Sequence, residues 1–115
     1  MEAKLKIIFI CTSNKDRSVA LEKFFREKYP QNEYRSAGIN KYFTTVKGTH
    51  YLTEEDVAWV DLMVFAETIH HAITHKRFLD MGLKKSIILN CGEYEQGNVG
   101  EDYLLKAEEK LKKYI

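Results

Sequence analysis

Cys11-Thr12-Ser13-Asn14-Lys15-Asp16-Arg17-Ser18 is the stretch whose residue types and spacing can do chemistry. A cysteine, five further residues and an Arg-Ser pair form a set that suits a tetrahedral anion such as phosphate. Backbone N–H groups of a tight loop and the positive end of a following helix can both point at the oxygens. Arg17 adds a planar fork of donors for two of them. The same field favours the thiolate form of a cysteine, the form that attacks electrophiles. Ser18 can donate a hydrogen bond to that sulfur, and Asn14 can bond across the loop to hold its shape. The pattern therefore places a nucleophile, Cys11, at the floor of a phosphate cradle built from Thr12, Ser13, Asn14, Lys15, Asp16, Arg17 and Ser18. The plainer reading is a strand-end cysteine that packs as a small hydrophobe. The strand before the loop, the helix after it and the hydroxyl beyond the arginine weigh against that.

Those neighbours follow from hydrophobic pattern. Leu5 to Ile10 is apolar apart from Lys6 and reads as a central strand covered on both faces. Ser18 to Tyr29 carries Ala20, Leu21, Phe24, Phe25 and Lys28 at helical spacing, with Phe24 and Phe25 in the core. Pro30 ends that helix. Asn32 to Ser36 is a short second strand running into Ser36-Ala37-Gly38. There the small residues suggest close approach to another backbone, and Gly38 permits a positive φ. Ile39 to Tyr51 shows no period and is expected to be a surface loop. Its Tyr42, Phe43, His50 and Tyr51 serve either recognition or as a lid on the core. Thr53 with Glu54, Glu55 and Asp56 marks a helix start, and Asp61 to Phe65 is the third strand. Thr68 to Leu79 returns to helical period through Ile69, Ala72, Ile73 and Lys76. His71 and His75, with His70 beside them, have metal-ligand spacing but lack a third ligand and are assigned to a solvated helix face. Ser86 to Leu89 is the fourth strand, followed by a polar loop from Asn90 to Asn98. A last amphipathic helix turns Leu104, Ala107, Leu111 and Ile115 inward.

Strands alternating with helices imply right-handed crossovers and a parallel α/β sheet covered on both faces. Ligands then bind beyond the carboxyl ends of the strands, where the exit loops of the first and fourth strands are expected to converge. The 115 residues suit a single domain, residues 1–115. Eighteen basic against seventeen acidic residues give no global charge that argues for nucleic acid or a membrane surface. The N-terminal apolar run is too short for a signal peptide or membrane span, and two cysteines make no disulfide framework. A reducing, cytoplasmic setting is the expectation.

With these parts in place the chain resembles the low-molecular-weight protein tyrosine phosphatase family. The resemblance rests on the Cys11–Ser18 loop after a strand, Glu22, Ser36-Ala37-Gly38, Trp59-Val60-Asp61-Leu62-Met63-Val64, and the Ile87-Ile88-Leu89 strand with its polar exit loop. It is most similar to a short branch with a C-T-x-N-x-D-R-S loop. The resemblance implies a three-layer flavodoxin-like fold with a four-stranded parallel sheet in order 2-1-3-4. It also implies a phosphocysteine mechanism without metal or organic cofactor, on phosphotyrosine in a protein or a small aryl phosphate. The family places an aspartate, usually followed by proline, after the fourth strand to protonate the leaving group. Here that loop reads Asn90-Cys91-Gly92-Glu93-Tyr94, and Val19 stands where proline is usual after Arg-Ser. Glu93 can supply the proton. Asp102 is the other candidate, better explained as a cap of the final helix.

Two rival functions use the same residues. A phosphate- or phosphopeptide-binding domain would keep the cradle without efficient turnover, but binding alone needs no nucleophile. An arsenate-reductase-like thiol enzyme needs a second cysteine, and only Cys91 is present. If both exit loops share one edge, Cys11 and Cys91 are also candidates for a reversible disulfide.

Overall fold

Lys6–Cys11 forms β1 and is the centre of the molecule, because its side chains alternate between two apolar layers. Ile7 and Phe9 face one layer and Ile8 and Ile10 the other, and none of the four is more than 1% exposed. The structure, a computed structural model, describes residues 4–82, 85–91 and 99–115. Within it β1 is followed by α1 (Arg17–Lys28), β2 (Glu33–Gly38), α2 (Lys41–Lys47) and α3 (Glu54–Trp59). Then come β3 (Leu62–Phe65), α4 (Thr68–Arg77), a 3-10 turn at Leu79–Met81, β4 (Lys85–Ile88) and α5 (Glu101–Leu111). All strand pairs are parallel and the sheet order is β2-β1-β3-β4, as expected. Among the described residues no helix is long and apolar enough to cross a membrane.

One layer joins Ile7, Phe9, Leu62 and Val64 to Leu21 and Phe25 of α1 and to Tyr103, Ala107 and Leu111 of α5. Phe25 stacks on Phe9 at 5.3 Å and Phe24 meets it edge-on, so both phenylalanines of α1 serve packing. The other layer joins Ile8, Ile10, Met63 and Phe65 to Val57 of α3 and to Phe78 at the end of α4. Two layers on one sheet let a short chain bury its apolar area on both faces of β1.

Several local expectations are corrected. The stretch expected as a loop from Ile39 to Tyr51 contains α2, capped by Asn40, whose side chain accepts from the Phe43 N–H, and closed by Gly48 in the left-handed region. Tyr42 and Phe43 are exposed rather than a lid on the core, and Tyr51 lies under the Arg77 guanidinium. α4 buries His70, Thr74 and Phe78 and turns Ile69 and Ile73 outward, one helical register away from the expected stripe. His70 can occupy that inward face because it is hydrogen-bonded on both ring nitrogens. Asp102 is the second residue of α5 with Gly100 at the cap position, so it adds charge to the first turn without making a capping bond.

Asp56 ties three segments together. Its carboxylate accepts from the Thr53 N–H at 3.0 Å, closing the cap of α3, and from Arg35 of β2 at 3.0 Å. It also meets His50 at 2.6 Å. Burial pushes this carboxyl upward, but the Thr53 amide and His50 outweigh it and hold it below the usual carboxylate range. The carboxylate is buried while Arg35 and His50 are 33% and 47% exposed, so its removal leaves the Thr53 N–H without its acceptor and the other partners open to water. Asp56→Ala is therefore expected to cost about 1–3 kcal/mol in urea unfolding at neutral pH. A cost below about 0.5 kcal/mol would show that the cluster is solvated rather than structural.

Candidate functional site

The loop after β1 is shaped by where its carbonyl groups go. Those of Cys11 and Thr12 accept from the N–H groups of Ile39 and Asn40, each at 3.0 Å, and that of Ser13 accepts from the Thr49 hydroxyl. In a planar trans peptide the N–H points opposite the carbonyl. The amides of Thr12, Ser13 and Asn14 are thereby turned away from residues 39–49, which assembles donors on the loop's other side. Asn14 takes the left-handed conformation, with φ of 54°, that closes the curve, and asparagine tolerates it better than most residues. Gly38 is required for contact rather than for a positive φ. A Cβ there would lie 2.7 Å from the Thr12 oxygen and 2.8 Å from the Asn14 nitrogen. The loop ends with Asp16 at the cap position of α1 and Arg17 as its first helical residue.

Cys11, 3% exposed, forms the floor. Its Sγ lies 3.0 Å from Ser18 Oγ, and Ser18 Oγ lies 2.7 Å from Asn14 Oδ1. A serine hydroxyl carries one proton for these two neighbours. Given to Asn14, it leaves the sulfur to act as donor, which describes the thiol. Given to the sulfur, with the Asn14 amide turned so that its NH2 faces Ser18, it supports the thiolate. The orientation of the Asn14 amide is thus coupled to whether Cys11 or Ser18 donates across the 3.0 Å contact.

Two residues absent from the sequence-derived set complete the site. Glu67, just beyond β3, accepts from Arg17 Nη1 at 2.6 Å, and this hydrogen bond holds its carboxyl below the usual range against the opposing effect of burial. It anchors one corner of the buried guanidinium, which fixes the plane of the fork. His70, three residues on, is fully buried and not on a solvated face. Its Nδ1 accepts from the Glu67 N–H at 3.0 Å, so Nε2 carries the proton and donates to Thr12 Oγ1 at 3.0 Å. Burial, then the nearby Arg17 charge, lower its pKa to about 4, with Glu67 opposing. The start of α4 thus clamps the cradle at both ends, Thr12 and Arg17. The neighbouring His71 and His75 stack on each other, with His71 edge-on to Phe65.

The remaining candidates lie as follows. Thr12, Ser13 and Asp16 are partly buried in the loop, and Lys15 is exposed at its rim. Glu93, with residues 92–98, lies outside the described residues. Cys91 is buried in the core beside α5 and donates weakly to the Leu89 carbonyl at 3.7 Å. Both cysteines are free, and β3 lies between the strands that lead to them. Two strand spacings make about 10 Å, while a disulfide needs Cα atoms within roughly 7 Å, so the Cys11–Cys91 pairing is not supported. Tyr103 of α5 is buried beneath the site, and burial raises its phenol to about 12, which keeps it protonated.

The His70 environment has a consequence for stability. Between the unfolded value near 6.5 and the folded value near 4, the unfolded chain binds a proton that the folded chain does not, so stability falls as pH drops through this window. Unfolding by urea at pH 7 and pH 4.5 should show a loss of about 2–3 kcal/mol from this group. His70→Gln should lack that component. If variant and wild type share the same pH dependence, His70 is not held neutral.

No family model matches the chain, and no curated protein matches it in sequence. Solved structures do. A low-molecular-weight protein tyrosine phosphatase from T. tengcongensis superposes with a TM-score of 0.69 at 22% identity, covering 97% of this chain and 100% of that one. YfkJ from Bacillus subtilis gives 0.71 at 14% identity, covering 97% of each. The YwlE arginine phosphatase from Geobacillus stearothermophilus gives 0.66 at 21%, covering 91% of this chain and 84% of that one. This chain has the fold of the low-molecular-weight protein tyrosine phosphatases.

Proposed function

We propose that the chain, as one domain, is a cysteine-dependent phosphomonoester hydrolase acting on phosphotyrosine in a protein or on a small aryl phosphate. The observation that carries this reading is the 3.0 Å contact between Cys11 Sγ and Ser18 Oγ at the floor of a loop that ends on the anchored Arg17. In the first step the Cys11 thiolate attacks phosphorus in line, an S–P bond forms, and the bond to the phenolic oxygen breaks. Arg17 and the loop amides hold the equatorial oxygens as their charge redistributes. The leaving oxygen takes a proton from Glu93. Water then gives a proton to the Glu93 carboxylate and attacks phosphorus, the S–P bond breaks, and phosphate leaves with the thiolate and the acid both restored. These steps call on no metal or organic cofactor. The cytoplasm, where thiols stay reduced, is the setting this chemistry suits.

Structures similar in fold include both tyrosine and arginine phosphatases, one of the latter a cysteine-to-serine mutant with a phosphorylated active-site serine. An aryl ester remains the better reading for this chain, because exposed Lys15 at the rim repels a cationic guanidinium leaving group. The retained nucleophile argues against a binding-only domain, and the placement of Cys91 argues against a reductase.

Cys11→Ser should abolish steady-state hydrolysis of p-nitrophenyl phosphate while keeping the fold and the affinity for inorganic phosphate. Arg17→Lys should lose turnover as well, since one ammonium cannot reproduce the fork. Near wild-type kinetics in either variant would overturn the assignment of that residue.

The proton donor has its own signature. Losing a positioned acid typically costs 10²–10⁴-fold, about 3–5 kcal/mol in the barrier. Glu93→Gln should therefore slow phosphotyrosine far more than an activated nitrophenyl ester, whose leaving group needs the proton less. Asp102→Asn should alter stability alone. The reverse pattern would move the role to Asp102.

A further inference from the structure

We propose that the Thr12 hydroxyl is a side-chain donor to the phosphoryl group and that His70 is the positioning residue that aims it. This rests on the phosphatase reading above, which uses Thr12 only through its amide, and adds one donor and the device that orients it. The device begins with a backbone group. The Glu67 N–H lies 3.0 Å from His70 Nδ1, and a donor there requires that nitrogen to be bare. The ring proton is therefore on Nε2, 3.0 Å from Thr12 Oγ1. The opposite tautomer would present a bare Nε2, which would take the threonine proton and turn it toward α4. With Nε2–H donating instead, one lone pair of Oγ1 is filled and the hydroxyl proton points elsewhere. Among the described residues that proton meets no acceptor.

An anion in the cradle is the acceptor this proton lacks. Thr12 opens the loop and Arg17 closes it, and the start of α4 bonds a side chain at each end, His70 at Thr12 and Glu67 at Arg17. A phosphoryl group bonded to Cys11 and held by the Arg17 fork would lie between these two contacts, within reach of a hydroxyl on the residue next to the nucleophile. Hydrogen bonds to an ionised acceptor are roughly twice as strong as neutral ones, so an aimed hydroxyl gains more from a phosphoryl oxygen than from water. His70 is fully buried, so no solvent competes for its Nε2–H. The ring stays neutral because burial, then the Arg17 charge, hold its pKa well below the ordinary value, with Glu67 opposing.

The test separates the hydroxyl from the residue that aims it. Cys11→Ser protein is titrated with inorganic phosphate, so that binding is read without turnover. In that background Thr12→Val, which keeps the shape and removes the hydroxyl, should weaken phosphate about tenfold or more, and Thr12→Ser should recover most of the loss. His70→Gln puts an amide N–H where Nε2 was, and His70→Asn puts an oxygen where Nδ1 was. Both lose the ring, but only the first keeps a donor for Thr12. His70→Asn should weaken phosphate about fivefold and His70→Gln about twofold at most, and neither should add to the loss in Thr12→Val. Nitrogen NMR of the His70 ring in the unsubstituted protein reads the aim directly and should show Nε2 protonated and Nδ1 bare. Equal phosphate affinity in Thr12→Val and its parent overturns the donor. The opposite tautomer, equal losses in the two His70 variants, or a His70→Asn loss that persists beside Thr12→Val overturns the positioning role. With Cys11 present, kcat/KM for p-nitrophenyl phosphate should fall in the same order. Absence of turnover in the wild type would overturn the phosphatase reading alone, because the affinities decide this proposal separately.

Discussion

The site depends on where three carbonyl groups point. Because those of Cys11, Thr12 and Ser13 have partners outside the loop, the amides between them are committed to the other side before any anion arrives. That pre-orientation is what makes an anion site effective, since no backbone reorganises at the moment charge moves. It reaches back into the fold. The segment that supplies the partners bonds to Gly38 through His50 and Leu52 and is held from beneath by Asp56. Gly38 can press against the loop only because it has no side chain. A buried carboxylate on α3 thus supports a loop on the far side of β2.

The second support comes from the start of α4, and it is electrostatic. A guanidinium 7% exposed carries a large desolvation cost when alone, and Glu67 offsets it while fixing the plane of the fork. His70 must stay neutral for its two ring nitrogens to accept from Glu67 and donate to Thr12 together. Its burial and the Arg17 charge keep it so. The same guanidinium that would bind phosphate therefore helps hold in place the histidine that orients Thr12.

Much of this was legible in the sequence because it follows local pattern. The apolar alternation of β1, the capping residues of α3 and the cysteine-to-arginine spacing each reflect interactions within a few residues. Glu67 and His70 were not legible in that way, since their partners lie fifty or more residues away. The signal that could have found them is topological. With order 2-1-3-4 the chain reverses direction at β1, so the exit loop of β3, its neighbour, borders the crevice more closely than that of β4. α4 misled for a related reason. Ile69 and Ile73 have helical spacing and look like a core stripe, yet a histidine with both nitrogens satisfied occupies the inward face. α2 has no apolar period because about two turns with a single buried residue, Thr44, leave none to read.

The proposed chemistry passes the phosphoryl group through Cys11. Mixing the protein with a phosphoaryl ester, quenching in acid within the first turnover and locating the phosphoryl group by peptide mass spectrometry measures it directly. One phosphoryl group is expected, on the sulfur of Cys11, formed and lost at rates that match steady-state turnover. Turnover with no phosphorylated residue, or with the group on Ser18 or Cys91, would contradict it.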